Sequence, residues 1–211
     1  MLPPNIKSSL NIINEEFKNV ENRREHLIKE SRELIKLCSQ TIIDIHQNNT
    51  DESKIKLNKA KELYFSLQNF AKQDLSRYLS NSEQELVEAS IILSIAEDRP
   101  IPSLEEMKVS SQSYLLGFLD SIGEIKRMVY DKIRIGDYQK AENLFAQMQE
   151  IYNALYHFAV YDNFVSGIRK KLDVCRILIE NTRELITEES RRTLLIGYLE
   201  KISNNNRSEI H

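Results

Sequence analysis

A hydrophobic repeat of unusual length opens the chain. From about Asn5 to Gln47, apolar residues recur at three- and four-residue steps, a spacing that places them on one face of an α-helix. The members of this stripe are Leu10, Ile13, Phe17, Val20, Leu27, Leu34, Cys38, Ile42 and Ile45. At about 1.5 Å per residue, such a helix is more than about 60 Å long. We expect it to pack along a bundle and to project towards a partner.

Further amphipathic segments follow, separated by short polar or proline-containing breaks. The spacing predicts helices at about 51–71, 81–97, 112–135 and 137–158, then a last long helix and a tail helix after about residue 187. Glycine and proline are scarce, and no run of short alternating strands is recognisable. The sequence therefore predicts an all-α fold, a single domain over residues 1–211 forming an antiparallel bundle of about six or seven helices.

Net charge and cysteine content limit the kinds of partner and cellular compartment that this protein can have. The formal net charge is −3 and the pI is about 5.9, so any nucleic-acid contact must come from a local basic face. Cys38 and Cys175 lie at apolar helical positions, as is typical of reduced core residues in intracellular proteins. No signal peptide and no apolar run of membrane-spanning length is recognisable. We therefore expect a cytoplasmic protein with no membrane partner.

Two pairs of acidic residues stand on two of the predicted helices. Glu85 and Glu88 continue the line of an apolar stripe, and Asp120 and Glu124 are four residues apart on the helix at 112–135. Carboxylates at such spacing project from one helical face. If the two pairs faced each other, they would form an all-oxygen site suited to Mg²⁺ or Mn²⁺. Such ions polarise phosphoryl oxygen and lower the pKa of bound water, which is how metal-dependent nucleases work.

A simpler interpretation of these residues is favoured when each helix is judged alone. Glu85 stands three residues after Ser82, as in a capping box, and Glu88 would then lie in solvent.

Gly117 and Gly123 stand inside the predicted helix at 112–135, where each costs about 1 kcal/mol of helix stability relative to Ala. A glycine in such a place usually permits the close approach of another backbone or a ligand.

Basic residues cluster in the first predicted helix. They are Arg23, Arg24, Lys29, Arg32 and Lys36. Lys29, Arg32 and Lys36 share one face and could follow a phosphate backbone. Glutamates lie between them, however, and helix faces that carry both signs of charge are usually only solvated.

Other catalytic patterns are not recognisable in the sequence. No histidine has metal-ligand spacing, and no glycine-rich phosphate loop is present. Neither cysteine has a histidine at the spacing expected of a thiol nucleophile.

Several segments together resemble the translin superfamily. They are Glu25–His46, QELVEA at Gln84–Ala89, SLEEM at Ser103–Met107, YLLGFLDSIGEIKRM at Tyr114–Met128 and GDY at Gly136–Tyr138. Their order and spacing are family-like, and the resemblance covers about residues 25–187. QELVEA together with the D-x-x-G-E of Asp120–Glu124 is similar to the catalytic subunit, translin-associated factor X (Trax). Translin subunits generally lack this acidic set.

The resemblance implies a fold, an activity and a site. The family fold is an all-helical bundle that assembles into hollow octamers, and the Trax-type subunit is a Mg²⁺-dependent endoribonuclease that acts on RNA inside the shell. Its acidic residues match Glu85, Glu88, Asp120 and Glu124, which would hold Mg²⁺ or Mn²⁺ or its water, and one glutamate could act as general base. The basic first helix resembles the family's nucleic-acid-contacting region, which implies contacts from Arg24, Lys29, Arg32 and Lys36.

Our leading hypothesis is therefore a metal-dependent endoribonuclease for single-stranded RNA. We expect a homo-octamer or a hetero-oligomer with a translin-like subunit. The alternative is a non-catalytic ring that binds single-stranded RNA or DNA, and a third interpretation is a helical scaffold that binds neither. The tail after Thr187 has no counterpart in the family pattern.

Overall fold

The described residues are almost entirely helical. The structure, a computed structural model, describes residues 2–72 and 74–208, and residues 1, 73 and 209–211 lie outside the described part. The α-helices are α1 (Pro4–His46), α2 (Thr50–Ala71), α3 (Ser80–Ala96), α4 (Leu104–Met107), α5 (Ser111–Arg134), α6 (Tyr138–Leu155) and α7 (Ile168–Ser208). Short 3-10 helices occupy Ser76–Leu79 and Tyr156–Tyr161. Since the described residues include no strand, the all-α prediction is confirmed.

Local sequence signals explain several helix ends. Proline at the start of α1 has a fixed φ suited to a first helical turn. Ser103 and Glu106 form the capping box of α4, with each side chain accepting a hydrogen bond from the other residue's backbone N–H. Gly136 has a φ of +80° after α5, and the side chain of Asp137 caps α6 by accepting from Lys140 N.

Two expectations about helix ends are wrong. The residue preceding α3 is Leu79, because the helix continues directly from the 3-10 helix at Ser76–Leu79. Ser82 is therefore buried inside the first turn, where its hydroxyl donates to Leu79 O instead of capping. The capping box of Ser82 and Glu85 does not form. The tail after Thr187 is helical, as predicted, but it continues α7 without a break and is not a separate helix.

The chain divides into two compact units, with the boundary between Gly117 and Phe118 inside α5. The first unit contains α1 to α4 and the first turns of α5. Its core is built by fully buried side chains of α1, α2 and α3: Leu27, Leu34, Tyr64, Leu67, Leu86, Ile91 and Ile92. The helix pairs α1–α2, α1–α3 and α2–α3 are all in contact.

The second unit contains the rest of α5 together with α6 and α7. Its core is formed by Ile122, Ile125, Val129, Leu144, Met148, Ile168 and Leu172. The division cuts one continuous helix, and the single-domain interpretation stays a prediction. In the described part of the chain, none of the helices combines the length and the apolar character that a bilayer crossing needs.

Candidate catalytic carboxylates and a basic cluster

A buried glutamate positions α3 within the first unit. Glu83 is 8% exposed. Its Oε1 accepts a hydrogen bond from the Tyr64 hydroxyl at 2.8 Å, and its Oε2 accepts from the Ser110 hydroxyl at 2.7 Å and from Ser110 N at 3.3 Å. Buried carboxylates are stable only when such donors satisfy them. The contacts therefore fix α3 against α2 and against the segment that leads into α5.

Gly117 brings the start of α5 directly against α3. A Cβ at this position would lie 2.7 Å from Gln84 O and 2.7 Å from Val87 Cβ, closer than real Cβ atoms approach. Only glycine permits this backbone contact, as the sequence predicted for Gly117. Gly123 has no atom within 4 Å of an added Cβ in the described part, so no neighbour within the described chain requires glycine there.

Glu85 and Glu88 lie one turn apart on α3, and both are half-buried. The thiol of Cys38 on α1 is fully buried. Its burial is the main cause that raises the pKa of Cys38, and the negative charges of Glu85 and Glu88 raise this pKa further. The thiol therefore stays protonated at neutral pH, which excludes it as a nucleophile. The two carboxylates set a negative potential on this side of α1.

Asp120 is held by a lysine of α7 in the second unit. Lys171 Nζ lies 2.5 Å from both Asp120 oxygens, and the two side chains are about one third exposed. Cys175, one turn further along α7, donates its Sγ–H to Leu119 O at 3.3 Å. Burial raises the pKa of Cys175 to about 12, with a smaller contribution from the Asp120 charge. Lys171 carries no local sequence signal of this contact, because its partner is 51 residues away in the chain.

Glu124 lies one turn after Asp120 on α5 and is half-buried. Its Oε2 is 3.9 Å from Arg127 Nη1, a weak contact at a surface-exposed arginine. Among the described residues, no group of three or more His, Cys, Asp or Glu side chains is arranged to hold a metal ion. The chemistry of the donors still fits Mg²⁺, because all four predicted ligands are half-buried carboxylates. Both oxygens of Asp120 already contact one ammonium group, however, so a metal ion there would compete with Lys171.

The predicted nucleic-acid contacts differ in their surroundings. Lys29 and Lys36 have side chains that are 84% and 60% exposed, with Glu30 at 3.8 Å and Glu33 at 3.3 Å respectively. Arg32 is also exposed. Exposed pairs of this kind contribute little to stability. These three cations are therefore accessible to a polyanion.

Arg24 belongs to a cluster with Arg77 and Tyr78 that was not predicted from the sequence. Arg24 Nε and Arg77 Nη2 both donate to the Tyr78 hydroxyl, at 3.1 and 3.2 Å. The two guanidinium carbons also lie 5.7 and 5.1 Å from the Tyr78 ring centroid. The hydrogen bond from Arg77 and then that from Arg24 lower the pKa of Tyr78. An arginine followed by an aromatic residue just before α3 was the available signal, since this combination suits phosphate and base contacts.

Comparison with known proteins assigns the chain to a family. The model of the Translin family matches residues 22–187. The chain belongs to the translin family. It is also 32% identical over 196 residues to the uncharacterized protein MJ0175 of Methanocaldococcus jannaschii, a match that covers 92% of this chain and 88% of that protein.

Solved structures of AfC3PO share the fold of this translin-family chain. The structure of AfC3PO in complex with duplex RNA has a TM-score of 0.80 at 30% identity and covers 88% of this chain and 98% of its own. The crystal structure of AfC3PO has a TM-score of 0.81 at 31% identity and covers 88% and 99%. Apo-NeC3PO, with a TM-score of 0.76, 23% identity and coverage of 89% and 97%, is similar in fold alone. The predicted superfamily is thus confirmed.

Proposed function

We propose that this translin-family chain is a Trax-type, Mg²⁺-dependent endoribonuclease that acts on RNA within a hollow oligomer. The observation that carries the proposal is the presence of carboxylates at Glu85, Glu88, Asp120 and Glu124 in a chain of this family. None of them is fully exposed. Carboxylates kept out of bulk water on helices are suited to a metal-dependent reaction rather than to solubility alone.

RNA as the ligand is supported by a similar structure and by local chemistry. AfC3PO, similar in fold at 30% identity, has been solved as a complex with duplex RNA. In this chain, Arg24, Arg77 and Tyr78 combine two guanidinium groups with an aromatic ring, and the exposed Lys29, Arg32 and Lys36 follow on α1. Guanidinium groups bind phosphates in a bidentate manner, and aromatic rings stack on bases.

The carboxylates would hold Mg²⁺ or Mn²⁺, which polarises phosphoryl oxygen and lowers the pKa of bound water. Lys171 contributes in a different way. Its ammonium group neutralises Asp120 and holds both carboxylate oxygens in place, so it keeps the side chain oriented when no metal ion is bound. One of the glutamates would act as general base and accept the proton of the attacking water.

Replacing a single carboxylate oxygen tests the catalytic assignment. Glu124→Gln should abolish cleavage of labelled RNA in the presence of Mg²⁺ while leaving the circular dichroism and the size in solution unchanged. Asp131→Asn is the matched control, because Asp131 lies on the same helix and pairs with Arg134 at 3.4 Å. Single-stranded and duplex RNA are compared. If Glu124→Gln cuts either RNA as well as the wild type does, the catalytic assignment is wrong.

A non-catalytic ring that binds RNA or DNA is the second candidate, favoured by the cluster of Arg24, Arg77 and Tyr78. It predicts nucleic-acid affinity that falls steeply with salt, and no cleavage. The same labelled strands, incubated with Mg²⁺ or with EDTA, separate the two functions, since only the nuclease yields fragments that EDTA prevents. Light scattering on the purified protein tests the expected octamer, and added translin-like subunits test a hetero-oligomer.

A further inference from the structure

A cavity of about 270 Å³ lies within the first unit, and its lining includes neither Glu85 nor Glu88. It is formed by α2, α3 and the segment that follows α3. Three cationic side chains line it: Lys54 and Lys61 from α2, and Arg99 from the segment after α3. The polar side chains of Ser90 and Ser94 on α3 face it as well. Nothing in the proposed nuclease function uses these residues.

Of the described residues that line the cavity, three are cationic and none is acidic. Asp51, outside this lining, has its Oδ1 3.9 Å from Lys54 Nζ. Lys54 Nζ lies 2.6 Å from Glu97 Oε1, and Arg99 pairs with the other oxygen of the same carboxylate. Glu97 is thus shared by two cations. Burial lowers the pKa of Lys61 and the positive charge of Arg99 lowers it further, while the negative charge of Glu106 acts in the opposite direction and does not cancel these effects. An anion in the cavity would relieve this repulsion between Lys61 and Arg99.

A buried hydroxyl gives a second, independent indication of a ligand. Ser90 is 2% exposed, and its Oγ has no hydrogen-bond partner among the described residues. Buried hydroxyls are almost always paired, and an exception requires an explanation. Serines inside helices usually donate to a carbonyl of the preceding turn, as Ser82 does on the same helix. Ser90 instead lines the cavity, where its hydroxyl is available to a bound group.

We propose that this cavity binds the phosphoryl group of a small anion, either orthophosphate or a phosphomonoester. Arginine and lysine offer the charge-assisted hydrogen bonds that phosphate oxygens prefer, and a serine hydroxyl completes such a set. Arg99 is more than half exposed and marks the mouth, whereas Lys61 and Ser90 lie deeper. Ligand pockets usually measure about 300–1,000 Å³, so a cavity of about 270 Å³ admits a small molecule and excludes a nucleic-acid strand.

Calorimetric titration of the full chain with orthophosphate at constant ionic strength tests the site. Lys61→Met and Ser90→Ala should each weaken phosphate binding about tenfold or more. Lys59→Met, an exposed position on the same helix, should leave it unchanged. Because the Ser90 hydroxyl has no hydrogen-bond partner among the described residues, Ser90→Ala should keep the urea midpoint of the wild type, which separates lost binding from lost folding.

A third variant uses the carboxylate that competes with the ligand. Glu97→Gln releases Lys54 and Arg99 from their shared partner, and phosphate affinity should rise by several-fold. A merely solvated patch of charge predicts no saturable binding, and that result overturns the proposal. Equal phosphate affinity in wild type and Lys61→Met overturns it too.

A parallel titration with adenosine monophosphate distinguishes the two sources of the phosphoryl group. Tighter binding than that of orthophosphate assigns a phosphomonoester. Equal or weaker binding assigns the free ion. Because neither titration contains RNA, failure of the nuclease assignment leaves this test unaffected.

Discussion

The two parts of α1 share one hydrophobic repeat but have opposite surroundings. Leu27, Leu34 and Cys38 are fully buried, whereas Leu10 and Phe17 are 51% and 69% exposed. The same period makes both parts helical, because it reflects the geometry of 3.6 residues per turn. Burial depends on what lies opposite: α1 contacts α2 and α3, and its buried residues among those described all lie from Leu27 onward. A hydrophobic stripe therefore predicts a helix and its apolar face, but not the neighbour that covers the face.

The largest expected effect separates these two parts directly. Leu34→Ala should lower the free energy of unfolding by about 2–5 kcal/mol, because it opens a cavity in the core. Phe17→Ala should change it by no more than about 0.5 kcal/mol, since an exposed ring has little packing to lose. Urea unfolding followed by circular dichroism measures both. A loss for Phe17→Ala that equals that of Leu34→Ala and grows with protein concentration would show that an assembly covers the exposed part.

A smaller effect is expected at the two glycines of α5, which repeat the contrast between packed and open positions. Gly117→Ala should destabilise the fold by about 1–3 kcal/mol, because the added methyl group collides with α3. Gly123→Ala should stabilise it by up to about 1 kcal/mol, since alanine is the better helix former and space is open. Thermal unfolding of the two variants gives the sign. Stabilisation by Gly117→Ala would contradict the close approach of α5 and α3.

The smallest change in stability is expected at two ion pairs in which α1 supplies the carboxylate. Lys56 pairs with Asp44, which is 8% exposed in the covered part, and Lys56→Met should cost about 1 kcal/mol by leaving a nearly buried carboxylate without this partner. Lys18 pairs with Glu15 at 2.7 Å in the open part, where Lys18→Met should cost less than about 0.5 kcal/mol. Denaturant midpoints measured at low and at high salt compare them. Equal losses would mean that burial does not separate the two parts.

Most helix bounds followed from sequence because their signals are local. Proline at the start of α1, the capping box of Ser103 and Glu106, and glycine at position 136 act through neighbouring residues. The family resemblance likewise rested on segments in order along the chain. The expectation that Ser82 caps α3 was wrong because α3 continues directly from the 3-10 helix at Ser76–Leu79. No sequence pattern near Ser82 indicates that continuation.

The candidate sites depended on contacts between distant segments. Arg77 and Tyr78 meet Arg24 across more than fifty residues of chain, and Lys171 meets Asp120 in the same way. Such pairs have no periodic signature, since sequence patterns report only the residues of one element. The acidic residues could therefore be named from the sequence, but the lysine that neutralises one of them could not.

By itself, the sequence determined the helices, their apolar faces and the family, because these follow from the spacing of side chains along one chain direction. Tertiary structure alone decided which part of α1 is buried, why position 117 must be glycine, and where Lys61, Ser90 and Arg99 surround a common cavity. The physical reason is that burial and electrostatic interaction depend on distances through space, which folding sets independently of separation along the chain.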